Sequence, residues 1–364
     1  MDLKDIRTQI NKVDEQMAEL FEKRMNLAKQ VAKYKIENSL PIEDKIREKQ
    51  LIEKNSSLIK DDEIKEYYID YLKNVIEISK QYQARLVNGM KIAYCGVEGA
   101  FAYIASKRLF DSQQLISFSS FTDAYNAVVD GTCNACVLPL ENSYAGEVDD
   151  VIDLLFSGSL FINNMISIDI VHNLIGKKGT SIKDIKKVAS HPQALAQCNK
   201  YIQKHNFEKI EYSNTAIAAL DLSKSNDTSL AVIASSEVAK LYDLEILETN
   251  VNESRNNTTR FAVFSKVLNK EPLKTKMGSH FILVFTVLNE AGALAKTLNI
   301  IGAHNFNMRT LRSRPMKELK WSYFFFVELE GDISSNDGKE MINELNSVCD
   351  RLKIVGIYNS DTER

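Results

Sequence analysis

The sequence predicts a multidomain protein in which an all-α segment is followed by an α/β segment and then by an α+β segment. Three observations support this. The first 88 of the 364 residues contain no glycine and one proline, Pro41. Strand-like runs begin after Gly89, and short apolar strands then mix with helical patterns. After the polar connector EPLKTKMGSH, the elements follow in the order βαββαβ. We place the domains at residues 1–88, 91–268 and 278–364.

Composition and charge argue against several classes of function. The chain is 44% hydrophobic and 26% charged, with a net charge of −3, so its bulk electrostatics favour neither nucleic acid nor a membrane surface. The N-terminus lacks the apolar segment of a signal peptide, and no apolar run reaches the ~20 residues that span a bilayer. We therefore expect a cytoplasmic protein. In that compartment the two N-x-Thr sequons of NNTTRF, residues 256–261, are not glycosylated.

The five cysteines do not form the framework of a disulfide-rich domain. Cys133 and Cys136 form a C-x-x-C pair, which raises redox or zinc chemistry as alternatives. A redox pair usually opens a helix, whereas this pair runs into the strand-like CVLPL. A zinc site needs a second Cys/His pair at suitable spacing, which the sequence lacks. We expect buried structural cysteines and no bound metal.

Apolar residues in the first segment follow a heptad spacing that predicts one helix of ~50 Å. The seam comprises Leu3, Ile6, Ile10, Val13, Met17, Leu20, Leu27, Val31 and Tyr34, with Arg24 filling one position. Helices predicted at residues 42–55 and 61–86 can cover part of this seam, and a homodimer would bury more. A guanidinium in an apolar seam is costly unless it meets an anion. Arg24 could otherwise fix the register of a helix dimer or extend to solvent.

Further polar residues flank the seam or lie one turn apart on the next two helices, so they can face one cleft. They are Arg7 and Lys35 on the first helix, Asp44, Arg47 and Glu48 on the second, and Ser79 and Gln83 on the third. Several cations converging on a helical bundle predict a pocket for a small polycarboxylate.

The stretches RTQINKVDEQMAELFEKRMNLAKQVAKYK, PIEDKIREKQ and EISKQYQ make this segment similar to the all-helical chorismate mutase family. The resemblance covers all 88 residues and implies a pericyclic rearrangement of chorismate to prephenate. That step needs a held conformer and a stabilised ether oxygen, without cofactor or nucleophile. The resemblance implies that Arg7, Arg24 and Ser79 bind the substrate carboxylates. It makes Lys35 and Gln83 the catalytic donors to the ether oxygen and Glu48 the partner of the ring hydroxyl. Arg47 and Asp44 complete the hydroxyl side of the cleft. It also implies a dimer in which Arg7 enters the partner's pocket.

The middle segment carries small polar clusters at the ends of predicted strands. They are GVEGAFAY (96–103), LPLENSYAG (138–146), SHPQALAQC (190–198), NTA (214–216) and NTTRF (257–261). Strand carboxyl ends carry the ligand crevice in α/β folds. For any single cluster, however, an ordinary turn is the favoured explanation, and His191 could merely cap a turn. No G-x-G-x-x-G or Walker pattern occurs, so we expect no nucleotide cofactor.

The five clusters together resemble prephenate dehydratase, from about residue 91 to residue 267. The resemblance implies two α/β lobes, like those of type II periplasmic binding proteins, with prephenate between them. Thr259 of the Thr-Arg-Phe motif becomes the catalytic donor to the leaving hydroxyl. Arg260 becomes a carboxylate or structural anchor beside Phe261. Glu141, Asn142, Ser143, Ser190, His191, Gln193 and Thr215 match cleft positions. Val97 and Ala100-Phe101-Ala102 depart from the family, which usually has proline and a Thr/Ser-Phe-Ser run.

The βαββαβ order of the third segment is the ferredoxin-like arrangement, and the segment resembles ACT regulatory domains. Gly292, Ala293 and Leu294 match the family's Gly-Ala-Leu turn. Ser313, Arg314 and Pro315 match the end of its Glu-Ser-Arg-Pro motif, but Arg312 replaces the glutamate. The resemblance implies phenylalanine as an effector, and this charge reversal leaves the strength and sign of the regulation open. The alternative is a module that only dimerises.

The sequence as a whole predicts a bifunctional enzyme with chorismate and prephenate as substrates, organised as a homodimer or higher homo-oligomer. One alternative is an amino-acid-sensing or solute-binding regulator that keeps these folds and lacks catalysis. Its polar sets should be broken, yet Lys35, Glu48, Gln83 and Thr259 are present. A mutase fused to a dehydrogenase would need a dinucleotide fingerprint, which the chain lacks.

Overall fold

The computed structural model describes residues 2–38, 40–254, 256–270, 279–316 and 323–359. The chain forms two compact units, Met1–Lys91 and Ile92–Arg364. Trp321 and Ser322, which the sequence places at the start of a strand, lie outside the described residues. So do residue 278 and residues 360–364 of the third predicted segment. The described part of the chain has no helix that is long and apolar enough to cross a membrane.

The first unit consists of the helices α1 (Leu3–Glu37), α2 (Lys45–Ser56) and α3 (Asp62–Asn88). The 35 residues of α1 give a length of ~52 Å, which agrees with the heptad prediction. An aspartate caps each helix, because the carboxylates of Asp2, Asp44 and Asp61 accept hydrogen bonds from backbone N–H groups of the first turn. The second helix therefore begins at Lys45, three residues later than predicted.

The apolar seam of α1 is uncovered in the single chain. Ala28 and Ala32 are the buried residues of α1, whereas the apolar seam residues are 41% to 63% exposed. The facing helix α3 buries Leu72, Val75 and Ile76. A contiguous apolar row of this length on a surface indicates an interaction site.

The second unit contains two sheets and their covering helices. Its strands before residue 270 are β1 (Lys91–Cys95), β2 (Gln114–Phe118), β3 (Ala135–Asn142), β4 (Gly146–Glu147), β5 (Phe161–Asp169), β6 (Asn173–Gly176), β7 (Lys187–Ser190), β8 (Glu208–Glu211), β9 (Leu230–Ala234), β10 (Glu245–Glu248) and β11 (Thr258–Ser265). Its helices there are α4 (Phe101–Leu109), α5 (Phe121–Val129), α6 (Asp149–Ser157), α7 (Pro192–Gln197), α8 (Asn199–His205), α9 (Thr215–Lys224) and α10 (Ser236–Leu241).

The chain leaves the larger sheet after β5, builds the smaller sheet in the order β10-β6-β9-β7-β8, and returns with β11. β11 runs antiparallel between β3 and β5, so its amino end lies beside the carboxyl end of β3. Thr259 is therefore the register partner of Asn142. The NTTRF cluster reaches the carboxyl-end edge of the parallel strands because its own strand runs in the opposite direction.

The remaining elements are β12 (Ser279–Thr286), α11 (Ala293–Ala303), β13 (Asn307–Pro315), β14 (Tyr323–Glu330), α12 (Asn336–Val348) and β15 (Arg351–Asn359), which confirms the predicted βαββαβ order. They extend the larger sheet, whose order is β13-β14-β12-β15-β5-β11-β3-β1-β2 with β4 on β3. The junction is the parallel pair Gly356–Ile162. A Cβ at position 356 would lie 2.9 Å from Ile162 Cβ, so the close approach requires glycine.

Two apolar cores lie against the larger sheet. Phe264 belongs to one core and Phe281 and Phe285 to the other, and each of these rings is at most 1% exposed. Burial of each such ring contributes about 1.5–3 kcal/mol. Cys133 and Cys136 are also buried, and burial raises the pKa of the Cys136 thiol well above its usual value. Both are the structural cysteines that the sequence predicts.

Candidate active sites

Arg24 and Ser79 form the centre of a polar cluster between α1 and α3. The half-buried Arg24 guanidinium donates to Ser79 Oγ and, at 3.3 Å, to the carbonyl of Val75. Burial lowers the pKa of Arg24, although an arginine stays protonated in proteins. Gln83 follows one turn later on α3 and is 8% exposed, and its Oε1 has no partner among the described residues. The cluster thus offers a cation, a hydroxyl and an incompletely bonded amide.

The other predicted residues of the first unit lie around the α1–α2 connection and along α2. Lys35 Nζ donates to the carbonyl of Ile42, and Asp44 Oδ1 accepts from the backbone N–H of Arg47 at 2.9 Å. Glu48 forms an ion pair with Lys80 at 3.2 Å. The sequence did not single out Lys80, because its position beside Ser79 on α3 gives no pattern that differs from a solvated lysine.

Arg7 stands apart from this cluster. It is exposed and lies 17 positions before Arg24 on the same straight helix, which corresponds to ~25 Å along the axis. A small polycarboxylate cannot bridge that distance, so Arg7 and Arg24 of one chain do not share a ligand.

A cavity of about 990 Å³ lies between the two sheets of the second unit. Six of the predicted dehydratase residues line it: Asn142, His191, Gln193, Thr215, Thr259 and Phe261. His191 also caps α7, since its Nδ1 accepts from the backbone N–H of Gln193 at 3.2 Å. Both interpretations of His191, cap and cleft residue, therefore agree with its position.

The described lining of the cavity contains two carboxylates, Glu147 and Asp149, so positive potential for an anion has to come from other groups. Among the described residues that line it there is no lysine or arginine. Instead, the first turns of α4, α5 and α9 lie at the cavity, through Phe101, Phe121 and Thr215. Helix N-termini carry partial positive charge and unpaired N–H groups. Ala100, the N-cap of α4, supplies no side-chain acceptor to the first N–H groups of that helix. The departures Val97, Ala100 and Ala102 also line the cavity and reduce its hydroxyl content.

Asn142 and Thr259 form the polar centre of the cavity wall. Asn142 Oδ1 accepts from the backbone N–H groups of Tyr144 at 3.0 Å and Ala145 at 2.8 Å. Its Nδ2 therefore faces β11 and donates to Thr259 Oγ1 at 2.8 Å. Since the threonine oxygen accepts this bond, its own O–H is available to donate to a ligand.

Four predicted residues lie outside the cavity lining because their polar atoms bind other protein groups. Ser190 Oγ is fully buried and donates to the carbonyl of Ile233. Ser143 Oγ donates to the carbonyl of Asn256 and accepts from the N–H of Thr258, at 2.8 and 2.9 Å. Glu141 and Arg260 bind each other at 2.7 Å. The polar atoms of all four thus hold neighbouring protein groups together outside the cavity lining.

Arg260 is the centre of a buried ion-pair network. Besides Glu141, its guanidinium donates to Glu328 at 2.9 and 3.0 Å and to Tyr358 Oη at 3.0 Å. Glu328 is 1% exposed. Burial alone would raise the pKa of Glu328, but Arg260, Tyr358 and Arg309 outweigh it and hold that pKa below its usual value. Arg260 thus binds β14 and β15 to the strand that carries Thr259.

His172 and Gln197 are among the polar lining residues that the sequence did not single out. His172 is 2% exposed, and its Nε2 lies 2.9 Å from Gln197 Oε1. Burial lowers the pKa of His172 to about 4, so the imidazole is neutral. Gln197 was detectable, because it follows Gln193 by one helical turn within SHPQALAQC. His172 was not, since a lone histidine in DIVHNLIG resembles any core residue.

The predicted effector residues lie at one end of the sheet formed by β12–β15. Gly292 has a φ of 84° at the start of α11, which requires a glycine-like backbone, and Ala293 and Leu294 follow it. Ser313, Arg314 and Pro315 end β13, with Arg314 and Thr286 both paired to Phe324.

Two arginines of β13 contact a segment that borders the cavity. Arg314 binds Asp149 and, at 3.1 Å, Asp153, whereas Arg312 binds Glu147. Glu147 and Asp149 also line the cavity. The replacement of the family glutamate by Arg312 therefore creates an attractive contact with the dehydratase part of the chain.

Comparison with known proteins matches each of the two units to a different family model. A chorismate mutase type II model matches residues 6–84, and a prephenate dehydratase model matches residues 92–268. The bifunctional chorismate mutase/prephenate dehydratase of Buchnera aphidicola subsp. Schizaphis graminum is 31% identical, covering 99% of this chain and 97% of the relative.

Solved structures similar to the chain cover about three quarters of it. A protein described as GqqA, a novel type of quorum quenching acylase, has a TM-score of 0.69 at 28% identity and covers 75% of this chain and 98% of its own. The prephenate dehydratase of Staphylococcus aureus has a TM-score of 0.66 at 27% identity, with 74% and 100% covered. The prephenate dehydratase from Arthrobacter aurescens in complex with L-Phe shares the fold, with a TM-score of 0.68 at 22% identity and 75% and 91% covered.

Proposed function

The chain belongs to the bifunctional chorismate mutase/prephenate dehydratase family, and on that premise we propose which residues carry each step. The enzyme rearranges chorismate to prephenate and converts prephenate to phenylpyruvate in phenylalanine biosynthesis. We assign the mutase step to residues 1–88, the dehydratase step to residues 91–268 and regulation to residues 278–364, in a cytoplasmic enzyme.

The mutase site is built around the contact of Arg24 with Ser79. Arg24 and Ser79 bind a carboxylate of chorismate, Lys35 and Gln83 donate to the ether oxygen, and Glu48 accepts from the ring hydroxyl. Asp44 and Arg47 border the hydroxyl side. Because negative charge develops on the ether oxygen as its bond to carbon breaks, a lysine and an amide fixed there bind the transition state more tightly than the substrate.

A second copy of the chain completes this site. The uncovered seam of α1 supports a homodimer, since it leaves nine apolar side chains exposed. Arg7 lies ~25 Å from Arg24 along its own helix and so serves the pocket of the partner.

The dehydratase proposal depends on the hydroxyl of Thr259 in a cavity whose helix N-termini can bind an anion. As the bond between the ring and its carboxylate breaks, its electrons enter the ring and expel the hydroxyl. Thr259 donates a hydrogen bond to that hydroxyl, which leaves as hydroxide and takes a proton from solvent to become water, while carbon dioxide departs. A threonine is a weak acid, so its contribution is a directed hydrogen bond with little proton transfer before bond cleavage.

The lack of lysine and arginine among the described lining residues suits a decarboxylation. A tight ion pair would stabilise the carboxylate that has to be lost, and thus the substrate more than the transition state. Helix N-termini, Asn142, His191, Gln193 and Thr215 instead orient the dianion by hydrogen bonds. Glu141, Ser143, Ser190, Arg260 and Phe261 hold these groups in place.

One experiment tests both assignments, because each activity serves as the internal control for the other. Lys35→Ala should abolish loss of chorismate absorbance while prephenate still yields phenylpyruvate, and Lys33→Ala on the same helix should change neither rate. Thr259→Ala should lose at least about 100-fold in phenylpyruvate formation, with most of it returned by Thr259→Ser. Near-normal mutase turnover in Lys35→Ala, or dehydratase turnover in Thr259→Ala, refutes the corresponding assignment. A silent regulator would make no phenylpyruvate from chorismate at all.

We further propose that β12–β15 with their helices form a ferredoxin-like ACT module that binds phenylalanine. The support is the glycine turn at Gly292 and the end of β13 at the same edge, together with the L-Phe complex of the Arthrobacter relative. Isothermal titration with phenylalanine should give a binding signal and a change in dehydratase rate. Absence of both would leave a module that only dimerises.

A further inference from the structure

The segment NNTTRF contains two asparagines that neither activity explains. Asn256 is exposed, whereas Asn257 is 4% exposed in the turn before β11. The backbone carbonyl of Asn257 accepts from Ile170 N–H at 2.7 Å, and its Oδ1 accepts from Asn142 Nδ2 at 2.8 Å. Its own Nδ2 has no partner among the described residues. A buried donor without a partner is unfavourable, so the useful atom of this side chain is the acceptor.

That acceptor fixes the direction of the hydrogen bond to Thr259. The amide nitrogen of Asn142 carries two hydrogens and lies 2.8 Å from Asn257 Oδ1, 2.8 Å from Thr259 Oγ1 and 3.3 Å from the carbonyl of Thr258. With one hydrogen held by Asn257, the other points at Thr259. Without Asn257, the hydrogen that it held can turn only to the carbonyl of Thr258 at 3.3 Å, so the amide of Asn142 and its hydrogen bond to Thr259 are held less rigidly.

We propose that Asn257 is a positioning residue for the dehydratase step, acting through Asn142 on the hydroxyl of Thr259. A threonine oxygen that accepts from Asn142 must direct its own O–H elsewhere, and the open direction is the cavity. Asn257 does not line the cavity, so it influences the transition state without contacting the substrate. This inference rests on the proposed role of Thr259.

Asn257→Leu removes the acceptor at nearly constant volume. Asn257→Asp keeps an acceptor oxygen and, as the neutral acid that burial favours, replaces the unpartnered nitrogen by a hydroxyl. We expect Asn257→Leu to lower the dehydratase kcat by roughly 10- to 100-fold, with KM within about twofold. Asn257→Asp should stay within about threefold of the parent, as should Asn256→Ala, whose side chain is exposed in the same turn. Near-UV circular dichroism establishes that each variant is folded.

A double-variant comparison separates this inference from the role of Thr259 itself. In a Thr259→Ala background, Asn257→Leu should cost less than about twofold, because the group that it positions is already absent. A full additional loss in that background overturns the inference while leaving Thr259 as the donor. So does an unchanged kcat in folded Asn257→Leu, or a loss in folded Asn257→Asp as large as that in Asn257→Leu. Retained activity in Thr259→Ala alone refutes the proposed function instead.

Discussion

The buried pair of Arg260 and Glu328 gives a quantitative prediction for the stability of the second unit. Glu328→Gln keeps the size of the side chain but removes its charge and places an amide N–H₂ against the donors of Arg260. Breaking a buried ion pair costs about 3–5 kcal/mol. Arg260 keeps Glu141 at 2.7 Å, so we expect the lower end, about 3 kcal/mol. At roughly 2–4 °C per kcal/mol, Tm falls by about 6–12 °C.

The assay is loss of dehydratase activity and of near-UV circular dichroism on heating, with mutase activity of the same sample as the reference for the first unit. Glu330→Gln is the matched control on β14, because Glu330 is exposed, its contact with Arg309 is 3.9 Å, and glutamine can still accept the 2.9 Å hydrogen bond from Asn307. Exposed pairs contribute about 0–1 kcal/mol, so Tm should change little. A Glu328→Gln unit within 1 kcal/mol of the parent in its free energy of unfolding would refute the reasoning.

The pH dependence gives a second measurement of the same pair. The folded-state pKa of Glu328 lies below its unfolded value, so the stability from its charge is present above about pH 4.3 and is lost as the pH falls through the folded pKa. The difference in unfolding free energy between the parent and Glu328→Gln should therefore shrink below about pH 4. A difference that grows on acidification contradicts the lowered pKa.

Three further predictions follow from other contacts. Arg312→Glu places like charges against Glu147 at the cavity rim and should raise the dehydratase KM about two- to fivefold. The double variant Arg312→Glu/Glu147→Arg should recover the parent KM. An unchanged KM in Arg312→Glu would show that the contact of β13 with the cavity rim has no effect on substrate binding. Burial lowers the pKa of His172 to about 4. Between pH 6.5 and 4 the parent should therefore lose about 3 kcal/mol of unfolding free energy relative to His172→Asn. If the unfolding free energies of the two proteins change equally with pH, the lowered pKa is contradicted. Residues 1–91 should have the mass of a dimer in light scattering. Val13→Lys in the exposed seam should halve that mass and abolish mutase activity. A monomeric parent would exclude the dimer.

Local periodicity explains how much of the structure could be predicted from the sequence. The heptad spacing predicted α1 because that signal lies within neighbouring turns, and the charge of Arg24 within it marked this residue as a candidate. Thr259 was predicted from the resemblance of the Thr-Arg-Phe motif to a known family, whereas its contact with Asn142, 117 positions away, was not predicted. The partners of Arg260 could not be predicted, since Glu328 and Tyr358 are 68 and 98 positions away in the chain. Their contact depends on how β12–β15 extend the larger sheet through the pairing of β15 with β5.

His172 shows a second limit. A single histidine in an apolar run has the same local pattern whether it packs in a core or faces a cavity. The difference arises from Gln197, which the fold brings 2.9 Å from its ring. Arg260, predicted as a carboxylate or structural anchor, illustrates the converse, because a cation beside a candidate catalytic residue is also what a buried carboxylate requires.

The junction of Gly356 with Ile162 has a consequence for the order in which the protein folds during synthesis. The helical unit is complete once residues 1–91 have left the ribosome. The hydrogen bond between Arg260 and Tyr358 and the pairing of β5 with β15 form only when β15 emerges. Ribosomes add ~5–20 residues per second, so the 94 positions from Ser265 to Asn359 take about 5–20 s. During that interval β5 is an open edge available to other strands. The helical unit can thus fold before the second unit has all of its strands.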